Sequence, residues 1–98
     1  MGFRINYSKV ISQADSIADC AKELSTQSSQ LFTMEQTIQS AWKGEASGAF
    51  LSRVITLRGE VDATRRQIDD LATTIKDCAK VIQRAEEEAE RNAAALKR

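Results

Sequence analysis

The sequence has no proline and no histidine, and it contains only two cysteines and four glycines. Without proline, nothing in 98 residues forces a long helix to break. Without histidine, and with so few cysteines, we expect no zinc site. Basic and acidic residues balance at 14 each, so the chain lacks the basic face on which a nucleic-acid-binding protein depends.

Long apolar runs are also missing. None approaches the roughly 18 residues of a membrane span, so we expect no stable membrane insertion. The first eight residues lack the apolar segment of a signal peptide, so export would require a different route. No glycine-rich phosphate loop is present, and no histidine base accompanies the cysteines. We therefore expect no catalytic activity and no cofactor, and a function carried by binding surfaces.

The two cysteines, Cys20 and Cys78, do not form a disulfide framework. A hairpin folded near Gly44 would place Cys20 opposite residue 68, about ten residues from Cys78. At 1.5 Å per residue the two would lie roughly 15 Å apart, which is too far for a bond. We predict two free thiols that are buried or half-buried, because free cysteine behaves as a small hydrophobe.

The second half of the chain carries a regular apolar stripe. Its residues recur alternately four and three apart, the spacing of one face of a long helix that packs on a partner. The stripe consists of Phe50, Val54, Leu57, Val61, Thr64, Ile68, Leu71, Ile75, Cys78, Ile82, Ala85 and Ala89. From it we predict the core or interface residues Phe50, Leu57, Val61, Ile68, Leu71 and Ile75.

The first half repeats this spacing, with Ser28 and Glu35 as interruptions. Its stripe consists of Val10, Ala14, Ile17, Ala21, Leu24, Ser28, Leu31, Glu35, Ile38 and Trp42. From it we predict the core or interface residues Ile17, Leu24, Leu31 and Ile38. Ser8 is the expected N-cap of a first helix over residues 8–41, and a second helix is expected to begin near residues 45–47.

Trp42-Lys43-Gly44 separates the two helical patterns. Glycine tolerates the positive φ of a tight reversal, and tryptophan can bury a large apolar area at the corner. The prediction is an all-α antiparallel hairpin in a single domain over residues 1–98. Residue 8 would then lie opposite about residue 80, leaving residues 83–98 as an overhanging tail. This charged, helix-prone tail is either a receptor contact or a solvated helix end.

The first helix has few charges and is rich in Ser, Thr and Gln. Four apolar residues also lie off its stripe: Ile11, Ala18, Phe32 and Met34. A weakly charged face costs less to desolvate than a charged one. We therefore expect the second helix to cover one side of this helix and another chain to cover a second side. The alternative interpretation is an ordinary solvated surface.

A chain of about a hundred residues, with two long helices and Trp-x-Gly at the turn, resembles the WXG-hundred family. These are the ESAT-like small substrates of the bacterial type VII secretion system. The resemblance covers essentially the whole chain and rests on Trp42 and Gly44, followed by small residues and Phe50. It implies a homodimer or heterodimer, with another WXG-like chain or an effector, that forms an antiparallel four-helix bundle. It also implies export without a cleaved signal peptide, from the cytoplasm to the exterior.

In the family, a Tyr-x-x-x-Asp/Glu motif after the second helix takes part in recognition by a secretion ATPase. The best match here is Glu86-x-x-x-Glu90, which keeps the acid and lacks the aromatic, while Tyr7 lies at the other end of the sequence. The predicted secretion-motif residues are thus Trp42, Gly44, Glu86 and Glu90. An alternative function is that of a targeting chaperone or adaptor for a larger toxin effector, which stays inside the cell or is co-exported. A membrane-perturbing peptide is disfavoured because the sequence has no basic face.

Overall fold

The protein folds as two long antiparallel helices, and the computed structural model describes residues 6–96. Helix α1 spans Tyr7–Ala41 and helix α2 spans Glu45–Leu96. The predicted all-α hairpin is confirmed. Both ends of the predicted domain, residues 1–5 and 97–98, lie outside the described residues.

Helix α1 begins earlier than predicted. Asn6 is the N-cap, and its side-chain oxygen accepts a hydrogen bond of 3.0 Å from the backbone N–H of Lys9. The expectation that Ser8 caps the helix is wrong, because Ser8 lies inside the first turn. Asparagine caps a helix about as well as serine, so the helix can begin at Tyr7 and gain more of its own hydrogen bonds.

The reversal takes place at Trp42-Lys43-Gly44, as predicted. Trp42 is extended, with φ −121° and ψ 120°, and its N–H donates to the carbonyl of Ile38. Gly44 has a φ of +118°, a conformation that residues with a Cβ rarely adopt. The hydroxyl of Ser47 donates to the Gly44 carbonyl over 2.7 Å, which links the turn to the first turn of α2.

The core between the helices is thin. Its buried apolar residues are Ala14, Ala21, Ile38, Val54, Ala72 and Ala79. Four of the six are alanines, and among residues 6–96 no large side chain is fully buried. Small side chains let the two helices approach closely, but they remove little apolar surface from water.

The predicted stripe of α1 is confirmed from Val10 to Ile38. Every one of its members in that range is buried or half-buried, including the polar Ser28 and Glu35. Its last member is the exception, since Trp42 is 44% exposed.

Four positions of the predicted stripe of α2 face α1; the other eight do not, and for them an interface with another chain stays a prediction. Val54, Val61, Ile68 and Ile75 face α1 as expected. The second set of α2 residues that faces α1 differs from the prediction and consists of Leu51, Arg58, Arg65, Ala72 and Ala79, all of which are buried or half-buried. Eight predicted members are exposed: Phe50, Leu57, Thr64, Leu71, Cys78, Ile82, Ala85 and Ala89.

Glu35 explains this change of register. It lies in the α1 stripe and is only 6% exposed, so its carboxylate needs a cation at the same level of α2. Arg58 provides the cation: its Nε and Nη2 donate to the two carboxylate oxygens, the second over 3.2 Å. The hydrogen bond to Glu35 raises the pKa of Arg58 above its ordinary value. A hairpin with Leu57 in this place would leave Glu35 unpaired.

The hairpin is also offset from a fold centred on Gly44. Glu35 is level with Arg58, and the hydroxyl of Tyr7 donates to the carboxylate of Glu86. A reversal centred on Gly44 would have paired Glu35 with residue 53. The chain reversal includes the first helical turn of α2 as well as residues 42–44, so the pairing of the two helices starts later along α2. Among the described residues, Tyr7 and Glu86 form the side-chain hydrogen bond between the helices that lies furthest from the turn, and the predicted tail boundary at residue 83 stays a prediction.

Candidate functional site

The two broad sides of the hairpin differ in chemistry. Leu57 and Arg58 are consecutive residues, so their side chains lie about 100° apart around α2. Since Arg58 reaches Glu35 and Phe32 on one side of the hairpin, Leu57 lies on the other side. Residues spaced by sevens from Leu57 share that side: Phe50, Thr64, Leu71, Cys78 and Ala85.

Helix α1 contributes to the same side by the same reasoning. Met34 precedes Glu35 by one residue and therefore lies away from Arg58, beside the strip that contains Leu57. Its heptad relatives are Gln13, Cys20, Gln27 and Ala41. We call these eleven positions of both helices, Gln13, Cys20, Gln27, Met34, Ala41, Phe50, Leu57, Thr64, Leu71, Cys78 and Ala85, the uncharged face.

No position of the uncharged face carries a charge, although 29% of the residues of the chain are charged. All eleven are exposed, and the largest apolar side chains remain about half in water: Leu71 at 52%, Leu57 at 48% and Phe50 at 46%. From Phe50 to Ala85 the strip on α2 is about 50 Å long at 1.5 Å per residue. An apolar strip of this length on the surface of a small chain indicates a site of protein association.

The opposite side is a charged face. The Arg58 guanidinium lies 5.2 Å from the centre of the Phe32 ring while it pairs with Glu35. Further along, Lys76 of α2 pairs with Asp15 of α1. Arg58, Glu35, Lys76 and Asp15 thus have charged partners within the hairpin, while Phe32 and Ile55 on the same side are nearly half exposed.

An aromatic pair lies at the turn end of the uncharged face. The rings of Trp42 and Phe50 lie 5.7 Å apart at an angle of 49°, within the range of favourable aromatic contacts. Both side chains are nearly half exposed. Of the two roles open to Trp42, a buried corner residue or an exposed recognition residue, the hairpin favours the second, because this short turn leaves the indole nearly half exposed.

Cys20 and Cys78 are free, as predicted, but both are exposed. The expectation of buried or half-buried thiols is therefore wrong. The reason is the same change of register, since Cys78 belongs to the strip of α2 that turns away from α1. The thiols lie on different helices of the uncharged face, so their reactivity would indicate whether another chain covers this face.

The predicted secretion-motif residues occupy opposite ends of the hairpin. Trp42 and Gly44 form the turn, while Glu86 lies at the other end, level with Tyr7, and Glu90 one helical turn further along α2. Within one chain the two groups are not brought together. The fold does bring together Tyr7 and Glu86, an aromatic and an acid that are 79 positions apart in the sequence. Sequence spacing gave no signal of this pair, because it depends on the register of the hairpin.

Within the described part of the chain, no helix is apolar and long enough to cross a membrane. Over the same residues, no group of three or more potential ligand side chains is placed to hold a metal ion.

Comparison with known proteins gives two matches. The family model described as "Proteins of 100 residues with WXG" matches residues 2–87. The fold is similar to that of a solved structure, Geobacillus thermodenitrificans EsxA in crystal form I, with a TM-score of 0.78 and 15% sequence identity. The similarity covers 91% of this chain and 99% of that one. None of the curated proteins matches the sequence.

Proposed function

The chain belongs to the WXG100 family of small proteins related to type VII secretion, and on this premise we propose its specific role. In our proposal it is a non-enzymatic substrate or targeting partner of that system. It pairs in the cytoplasm with a second WXG-like chain or an effector, in a four-helix bundle. The pair is then exported by the secretion ATPase without cleavage of a signal peptide.

The observation that carries this proposal is the combination of a thin core with a long uncharged face. Ordering each residue of a chain costs about 1–2 kcal/mol of backbone entropy. The buried part of the core, four alanines, one isoleucine and one valine, offsets little of this cost, and the larger side chains around it are only half-buried. Burying the uncharged face against a second chain would supply the missing apolar contact. This need for a partner supports a binding protein that works as part of a pair.

The predicted motif residues also support a paired function. Trp42 and Gly44 lie at one end of the hairpin, and Glu86 and Glu90 at the other. A surface that combines both groups therefore requires two chains lying in opposite directions. We propose that this shared surface contacts the secretion ATPase.

The absence of tyrosine from Glu86-x-x-x-Glu90 favours a second role within the same framework. A chain without the aromatic would depend on a partner that has it. In that case the protein acts as a targeting chaperone or adaptor for a larger toxin effector, and it is either retained in the cell or co-exported.

Export is the decisive test. We expect the intact, uncleaved chain in the medium of a type VII-competent bacterium, and we expect it to stay in the cells when the secretion ATPase is deleted. Leu71→Asp on the uncharged face should abolish export, whereas Ile55→Asp, a matched change on the charged face, should not. Release that is independent of the ATPase would contradict the proposal.

The two native thiols provide a test of association that is independent of export. In the associated protein Cys20 and Cys78 should react slowly with a bulky maleimide, because the covering chain shields both. The Leu71→Asp variant should expose them to fast labelling. Equal labelling of both proteins at high concentration would show that the uncharged face is not the surface that binds the partner.

A further inference from the structure

The part of α2 that extends past the start of α1 is covered, we propose, by residues 1–5 of the same chain, the segment that precedes the described residues. In this arrangement the segment runs extended along the end of α2, with Phe3 and Ile5 against the helix, and it controls the access of other proteins to this end. Four observations support the packing: the continuity of a helix strip, the length of the segment, the spacing of its apolar residues, and its charge.

The side of α2 that faces α1 continues beyond the start of α1. Ile75 and Ala79 face α1, and the same strip recurs at heptad spacing in the last turns of α2. We call these last residues the terminal strip; they are Ala89, Ala93 and Leu96. Glu86 is level with Tyr7, the first residue of α1, so no described residue of α1 lies level with the terminal strip. All three of its residues are exposed, Leu96 to 86%.

Residues 1–5 start at the right place and have the right length. Helix α1 runs from Tyr7 towards the turn, so the chain before it comes from the direction of the terminal strip. The N-cap Asn6 has an extended backbone, with φ −84° and ψ 93°. Five more extended residues span about 17 Å. The part of α2 from residue 87 to residue 96 rises about 15 Å, so the segment reaches the end of the strip.

The apolar residues of the segment match the terminal strip. Phe3 and Ile5 are two residues apart, so an extended chain places both on one side. An apolar residue before the N-cap commonly packs on the fourth residue of the helix, which here is Val10, and Val10 faces α2. One extended residue passes about two residues of α2, so Ile5 comes level with Ala89 and Phe3 with Ala93. Each contact then places a large side chain over a small one.

Charge favours the same contact. Residues 83–96 include two basic and four acidic residues, a net charge of −2. Residues 1–5 include Arg4 and no acidic residue, so a guanidinium accompanies the apolar contacts to an acidic part of the chain. The predicted secretion-motif residues Glu86 and Glu90 lie at this end of α2. If the proposed function holds, the segment competes there with the secretion ATPase; this consequence rests on the proposed function, whereas the packing does not.

A glutamate-specific protease measures access to this end of α2 in the full-length protein. We expect slow cleavage after Glu88 and Glu90 in the wild type. Phe3→Ser should accelerate it about tenfold, because proteolysis follows the population of the locally opened helix. Cleavage after Glu60, in the paired part of α2, is the internal control and should not change. Gly2→Ser, on the other side of the extended segment, should stay within about twofold of the wild type.

A pair of introduced cysteines tests the register. The background carries serine in place of Cys20 and Cys78. Phe3→Cys with Ala93→Cys should form a disulfide within one chain under mild oxidation. Phe3→Cys with Ala95→Cys is the matched control, since residue 95 lies about 200° around α2 from residue 93, and it should form the bond at least tenfold more slowly. Mass measurement of the unfolded protein separates bonds within a chain from bonds between chains.

Three results would overturn the inference. The first is cleavage of Phe3→Ser within about twofold of the wild type, and the second is equal disulfide formation by both cysteine pairs. The third is wild-type cleavage after Glu90 that becomes faster on dilution relative to cleavage after Glu60, since another chain would then cover the terminal strip. These measurements use the purified protein without the secretion machinery, so failure of the inference is distinguishable from failure of the export test.

Discussion

Leu71→Ala is the most informative single change, because its expected size follows from the structure. Leu71 is 52% exposed in the hairpin, so about half of its side chain remains to be buried by a partner. Full burial of a leucine side chain contributes about 1.5–3 kcal/mol. The unburied half therefore contributes about 1 kcal/mol per copy when the uncharged face is covered.

A dimer of identical chains contains this leucine twice and so loses about 2 kcal/mol. At 1.4 kcal/mol per factor of ten, its dissociation constant should rise about thirtyfold. In a pair with a different chain only one leucine changes, and the effect should be about fivefold. Sedimentation equilibrium over a concentration series measures the constant. Thermal unfolding followed by circular dichroism should also depend on concentration, because association stabilises the folded chain.

Ile55→Ala is the matched control. Ile55, like Leu71, is an exposed branched aliphatic residue on α2. It follows Val54 by one residue and therefore lies on the same side of the hairpin as Arg58, on the charged face. We expect its dissociation constant to stay within about twofold of wild type. Equal weakening by both changes, or no weakening by Leu71→Ala, would refute the assignment of the uncharged face as the interface.

Two other pairs of variants test the fold itself. Gly44→Ala should destabilise the protein by about 1–2 kcal/mol, because Gly44 has a positive φ. Gly48→Ala should be neutral or stabilising by up to about 1 kcal/mol, because an added Cβ meets open space in the first turns of α2. Chemical denaturation measures both free energies of unfolding, and equal effects would contradict the backbone conformation assigned to Gly44. Arg58→Met should lower the thermal midpoint more than Glu35→Gln, because Arg58→Met leaves the buried carboxylate of Glu35 without a partner. The double variant Glu35→Leu with Arg58→Met should recover most of the lost stability, because it removes that carboxylate as well. A double variant no more stable than Arg58→Met would show that the pair does not determine the register.

Much of the fold could be predicted from local pattern. The spacing of Val10, Ile17, Leu24 and Leu31 predicted the buried face of α1, because one helix face follows from sequence periodicity alone. The position of the turn followed from Gly44, since few residues other than glycine adopt its backbone conformation. Each of these features depends only on neighbouring residues.

The register of α2 could not be predicted in this way, because its apolar stripe is wider than one helix contact. Val54 and Val61 lie at the centre of the stripe, with Leu57 on one flank and Arg58 on the other. The spacing of apolar residues favours the flank of Leu57 as the one that packs on α1, but a single chain can place only one flank against α1. The buried Glu35 selects the flank that contains Arg58, and the more apolar flank is left in water. The sequence pattern thus combined the residues that pack on α1 with an exposed apolar flank, and the ion pair determines which flank packs within the hairpin.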